Sequence, residues 1–133
     1  MKITTKYISN YEYKSTTENG HSVTIDMKPE GKTLQSPMEL VLSALTGCVA
    51  VEIALMIQKR RKTLMDLKVE ASGQRRNTDP KGYTHIELHF ILTSPDAQQE
   101  ELDKIAALAL EKYCSVGNSL KASITHECSI VRS

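Results

Sequence analysis

The sequence predicts a single α+β domain, on three observations. Short alternating segments fill residues 1–33, one long apolar helix fills 36–61, and a second set of alternating segments with a second helix fills 66–133. Strands and helices are grouped instead of alternating one for one, which points away from a parallel βαβ sheet. At 133 residues the chain can bury a core without metal or disulfide staples.

Residues 2 to 8 and 11 to 15 read as short extended segments. Glu18-Asn19-Gly20 makes a turn, because Asn-Gly accepts positive φ at little cost, and His21 to Met27 alternates again with Val23, Ile25 and Met27 on one face. Pro29 to Lys32 is a loop. The long helix starts at Ser36 as N-cap, with Pro37 at the first helical position and Glu39 three residues after the cap. This capping box satisfies backbone N–H groups that a helix start leaves unpaired. About 26 residues at about 1.5 Å each give a rod of roughly 39 Å.

Apolar side chains go nearly all the way round that rod, from Met38 and Leu40 to Leu55 and Ile57. A helix apolar on every side has to be covered on every side, so we expect an obligate homodimer with this helix inside the assembly. Gly47, beside Cys48, allows a close backbone neighbour. The apolar run Leu40 to Ile57 is broken by Ser43, Thr46, Gly47 and Glu52, which argues against a membrane span.

Farther along, Leu67, Val69 and Ala71 alternate with polar neighbours, and Ile86, Leu88 and Phe90 do the same after the Asp79-Pro80-Lys81-Gly82 turn, giving a β-hairpin over 66–92. Ser94-Pro95 is expected to open a helix over 95–113 with Leu102, Ile105, Leu108 and Ala109 on its inner stripe. A cysteine segment and a last strand fill 114–133.

Seventeen basic and sixteen acidic residues leave a net charge of +1, so no global field draws the protein to nucleic acid or an anionic membrane. No apolar stretch follows the first lysines, so a signal peptide is not expected and the expected location is the cytoplasm. In a reducing compartment three cysteines argue against a disulfide framework and leave packing or redox chemistry.

Ser36-Pro37-Met38-Glu39-Leu40 and Ala44-Leu45-Thr46-Gly47-Cys48 share one helix, and Tyr113-Cys114-Ser115-Val116 with Asn118-Ser119-Leu120 follows later in the chain. Together these segments resemble the OsmC/Ohr family of osmotically inducible and organic hydroperoxide resistance proteins. The resemblance implies antiparallel sheets wrapped round long central helices in an intertwined homodimer, with active sites at the subunit interface. It further implies Cys48 as the peroxidatic thiol, Cys114 as the resolving thiol, an organic hydroperoxide as substrate and a dithiol reductant of the dihydrolipoyl kind, with no cofactor and no metal. A thiolate attacking a peroxide becomes a sulfenic acid, and a second thiol condenses with it to a disulfide.

The chain departs from the peroxidases of that family at two points. They hold the thiolate with an arginine from the N-terminal strand region, whereas this chain has no arginine before Arg60; and their glutamate directly follows the helix-start proline, where this chain has Met38 and then Glu39. Glu39 is a candidate supporting residue, adequately explained as a cap. Glu52 is a second candidate, four residues after Cys48 on the same helix face. It reads either as a partner of the site or as a polar group at a wet patch of the interface. A non-peroxidase member that binds a small apolar or thiol-reactive ligand at the interface is the alternative function.

The remaining candidates have simpler explanations. His85, Glu87 and His89 share a strand face, but residues four apart on a strand are about 13 Å apart, so the two histidines cannot hold one metal. Cys128 near His126 reads as filler on the last strand. Arg60, Arg61 and Lys62 complement a helix C-terminus, and Arg75 and Arg76 decorate an exposed hairpin.

Overall fold

In a computed structural model describing residues 1–133, the chain is α+β and divides into two compact units, 1–43 and 44–133. The first unit holds an antiparallel meander of β1 (Ile3–Ser9), β2 (Glu12–Thr17) and β3 (Ser22–Asp26). The expected Asn-Gly turn is present, with Gly20 at φ 89° and the Thr17 N–H donating to the His21 carbonyl at 2.8 Å. Its one fully buried side chain is a carboxylate: Asp26 accepts the Lys28 N–H at 2.9 Å and the Thr33 N–H at 3.0 Å, closing the loop after β3. The Lys28 ammonium reaches both Asp26 and Glu12. No apolar side chain of residues 1–43 is fully buried, and Ile3, Tyr7, Tyr13 and Val23 lie exposed on the strands.

Helix α1 (Pro37–Lys59) begins with the anticipated capping box, the Glu39 N–H on Ser36 Oγ at 3.3 Å and the Ser36 N–H on Glu39 Oε1 at 3.0 Å. It ends two residues short of the expected Arg61. The Lys62 N–H turns back to the Ile57 carbonyl at 3.2 Å and the Arg61 N–H to Gln58 at 2.9 Å, with Arg61 at φ 60°. This is a Schellman ending built on a non-glycine residue. By length and hydropathy α1 could cross a membrane. Within 44–133 it instead contributes Leu45, Val49, Ile53 and Ile57 to the core as one row spaced by four, while Val51 and Leu55, opposite that row, are more than half exposed.

The second unit carries a sheet of β4 (Asp66–Arg75), β5 (Tyr83–Thr93) and β6 (Ser123–Val131). The hairpin pairs as its alternation predicts, Val69 opposite Phe90 and Ala71 opposite Leu88. Strand β6 runs parallel to β5, His85 beside Ser123 through Thr93 beside Val131. A parallel neighbour needs a long crossover, and residues 94–122 supply it.

That crossover corrects the expected second helix. Helix α2 covers Gln99–Leu108, not 95–113. Ser94 caps a preceding turn, its hydroxyl accepting the Asp96 and Ala97 N–H groups at 3.3 and 3.0 Å, and the true helix start is a box between Gln98 and Glu101. Leu102, Ile105, Ala106 and Ala109 are buried, whereas Leu108, expected on the inner stripe, is 39% exposed. The coil then widens into a π-helical turn over Ala109–Tyr113, and after Cys114 one short helix follows, α3 (Ser115–Asn118).

Candidate functional site

The two cysteines singled out in the sequence both lie in the second unit. Cys48 precedes the buried Val49 on α1 and is half-buried; Cys114 stands between the π-helical turn and α3 and is buried. Both are free thiols, and Cys48 is close enough to Cys114 to raise its titration. The local backbone explains how Cys114 points inward between exposed neighbours Tyr113 and Ser115. Its N–H donates to the Ala109 carbonyl at 2.8 Å, five residues back, and its φ of −80° and ψ of 96° then take it out of the helix.

The Cys114 sulfur caps the next turn, accepting the Gly117 N–H at 3.2 Å. Burial pushes its thiol above the ordinary range, and the nearby Cys48 adds to this, while the Gly117 and Val116 N–H groups pull the other way. The net direction is upward, so Cys114 stays a protonated thiol at neutral pH. A cavity of about 270 Å³ opens beside it, lined by Glu111, Lys112, Tyr113, Cys114, Ser115 and Asn118.

The other sequence candidates fall elsewhere. Glu39 belongs to the first unit and is engaged by the capping box and by the Lys32 ammonium; that ammonium first, and the Ser36 N–H second, hold its carboxyl down at about 2. Glu52 is half-buried one turn after Cys48 and forms no hydrogen bond or ion pair within the chain. The third thiol, Cys128, packs on β6 opposite Phe90 with its sulfur 3.9 Å from the Leu102 carbonyl.

His85 and His89 share the outer face of the sheet as anticipated. Each bonds a hydroxyl of β6, His85 Nε2 to Thr125 Oγ1 at 3.0 Å and His89 Nε2 to Ser129 Oγ at 2.7 Å. His89 Nδ1 also lies 3.8 Å from Glu70 and 3.7 Å from Glu127. No three side chains of the metal-ligating kinds converge as an ion requires. Gly117 is the site residue that sequence reasoning passed over; its place three residues after Cys114, where the Cys114 side chain can accept its N–H, was the available signal.

Comparison with known proteins agrees with this architecture. Over 133 residues the chain is 34% identical to protein YhfA of Escherichia coli K12, covering 98% of each. Among solved structures it matches an OsmC-like protein from Mycoplasma pneumoniae at 20% identity, with 98% of this chain and 96% of that one covered and a TM-score of 0.83. An organic hydroperoxide resistance protein OsmC from Legionella pneumophila matches at 19% identity, the same coverages and a TM-score of 0.68. The family model described as OsmC-like protein matches residues 29–129, a span that takes in α1, Cys48, Cys114 and the whole second sheet up to Ser129. This chain belongs to the OsmC family.

Proposed function

We propose that the protein is a thiol-dependent reductase of organic hydroperoxides that works through Cys48 and Cys114. The observation that carries this reading is the placement of the two free thiols, one half-exposed and one buried, with Cys48 near enough to perturb Cys114 and Gly117, three residues after Cys114, packed beside Leu45 of the Cys48 helix. Cys48, the more accessible sulfur, attacks as thiolate on the distal oxygen of the hydroperoxide. The O–O bond breaks, the alcohol leaves with a proton, and Cys48 becomes a sulfenic acid. The protonated Cys114 thiol then condenses with it, water leaves, and a disulfide remains. An external dithiol, dihydrolipoyl being the chemistry the family resemblance suggests, returns both cysteines to thiols and is itself oxidised to a disulfide.

The working form in this reading is a cytoplasmic homodimer. Its support is the exposed Val51 and Leu55 flank of α1 and the absence of any fully buried apolar side chain in residues 1–43. A partner subunit would cover both.

A second reading is favoured by one observation, the lack of any arginine before Arg60. Without the cation that peroxidase members use, the same interface would serve a non-peroxidase that binds a small apolar or thiol-reactive ligand. Steady-state turnover of cumene hydroperoxide with dihydrolipoamide decides between them. We expect turnover that is abolished in Cys48→Ser, and in Cys114→Ser a halt at a sulfenic acid that dimedone traps. Wild-type protein that leaves the hydroperoxide unconsumed refutes the peroxidase reading. Sedimentation at micromolar concentration should give twice the chain mass, and a stable monomer would remove the dimer.

A further inference from the structure

We propose that Cys114 sits in a two-sided mount, the π-helical turn Ala109–Tyr113 before it and Gly117 after it, and that this mount aims its sulfur at Cys48. The inference rests on the thiol-pair reading above and names the positioning residues that reading lacks.

On the amino side, a continuous α-helix would pair the Cys114 N–H with the residue four back. Here it pairs with Ala109, five back, at 2.8 Å. One extra residue turns everything after it by about 100° and advances it by about 1.5 Å. Glu111, Lys112 and Tyr113 are all exposed, and only at Cys114 does the chain turn a side chain inward, to 3% exposure. Removing the extra residue would swing the thiol back to the exposed side where Tyr113 now lies. The wide turn closes the helix and sets the direction in which Cys114 leaves it, and such π-helical turns recur at functional positions.

On the carboxyl side, the Gly117 N–H holds the sulfur at 3.2 Å, and the Asn118 N–H closes on the Cys114 carbonyl at 3.0 Å. A methyl group at position 117 would stand 3.3 Å from the Cys114 sulfur and 3.5 Å from Leu45 Cδ1. Leu45 is the buried residue three before Cys48 on α1, so the bare Cα of Gly117 lets the thiol-bearing turn seat against the helix that carries the other thiol. Disulfide formation demands this placement, because the bond tolerates only a narrow range of backbone separations and dihedral angles.

The test separates the mount from the peroxidase reaction by using diamide, which takes two hydrogens from a thiol pair and becomes the hydrazine, with no hydroperoxide chemistry. Peptide mapping of the oxidised wild type should find the Cys48–Cys114 disulfide. Deletion of Glu111, an exposed residue of the π-turn, should retain cooperative thermal unfolding but form that disulfide about 100-fold more slowly, since a displacement on the order of 1 Å costs reacting groups about that much. Gly117→Ala keeps the chain length and should slow the same reaction by pressing on the sulfur. It decides the matter if the deletion variant does not fold. Either folded variant closing the disulfide at the wild-type rate overturns the mount, as does wild type that gives no such disulfide with diamide. Wild type that closes it with diamide but not with hydroperoxide supports the mount and refutes the peroxidase reading.

Discussion

Three thiols in one small domain raise the question of which of them react, and for Cys128 the structure answers in numbers. Burial against α2 pushes its thiol up, the Asp103 carboxylate pushes the same way by charge and by hydrogen bonding, and Glu127 adds to both, bringing it to about 12. All of these favour the neutral form, because a thiolate there would be both poorly solvated and repelled. At pH 8 a thiol titrating at about 12 is ionised to about one part in 10⁴, against about a quarter for an ordinary thiol at about 8.5. Since the thiolate is the reacting species, Cys128 should alkylate about 10³-fold more slowly than a free thiol. Timed iodoacetamide labelling at pH 8 with peptide-resolved mass spectrometry measures this directly, with N-acetylcysteine as the internal standard. Asp103→Asn should accelerate Cys128 by removing one of the opposing charges. Labelling of Cys128 in the wild type within a factor of about ten of the standard refutes the electrostatic argument. The result matters for the mechanism, because a silent Cys128 leaves oxidation products to Cys48 and Cys114.

Two further predictions concern stability. Asp26 titrates at about 2, chiefly because the Lys28 and Thr33 N–H groups bond its carboxylate, below the about 3.9 of an unfolded chain. A carboxylate whose folded value is depressed contributes above the unfolded value and loses that contribution as the pH falls. The first unit should therefore weaken between about pH 5 and pH 2, followed by tyrosine fluorescence, since three of the five tyrosines lie within residues 1–43; Asp26→Asn should flatten this dependence, and an unchanged acid transition in that variant would count against it. At the end of α1, Arg61 holds φ 60°, a conformation that disfavours any residue with a Cβ, so Arg61→Gly should raise stability by about 1 kcal/mol in urea unfolding; a loss of stability would show that the arginine side chain itself anchors the helix end.

What the sequence made legible was local. Ser36 and Glu39 are three residues apart, and their reciprocal capping needs nothing from the rest of the chain. The alternation of Val69, Ala71, Leu88 and Phe90 likewise predicts which face is buried and which strands pair. Alternation carries no information on strand direction, so the parallel setting of β6 is decided by its crossover, not by its pattern. At Ser94-Pro95 the serine caps a turn, which in sequence looks the same as a helix cap, while the helix box uses Gln98, a less usual cap.

At the site, the family resemblance singled out both cysteines as a redox pair, and the structure places both in the second unit, with Cys48 perturbing the buried Cys114 thiol. The single extra residue that re-aims Cys114 leaves no mark in hydrophobic periodicity. Leu108, assigned to the inner stripe and found exposed, is the last residue before that turn.

The parallel pairing of β5 with β6 also gives the long connection between them a second task. An antiparallel third strand could zip on from a tight turn, but a parallel one has to wait until residues 94–122 have travelled the length of the sheet and returned. Cys114 rides on that returning segment. The one connection therefore serves two ends, returning the chain to the far side of β5 and bringing the turn that bears the second thiol against α1 on the way.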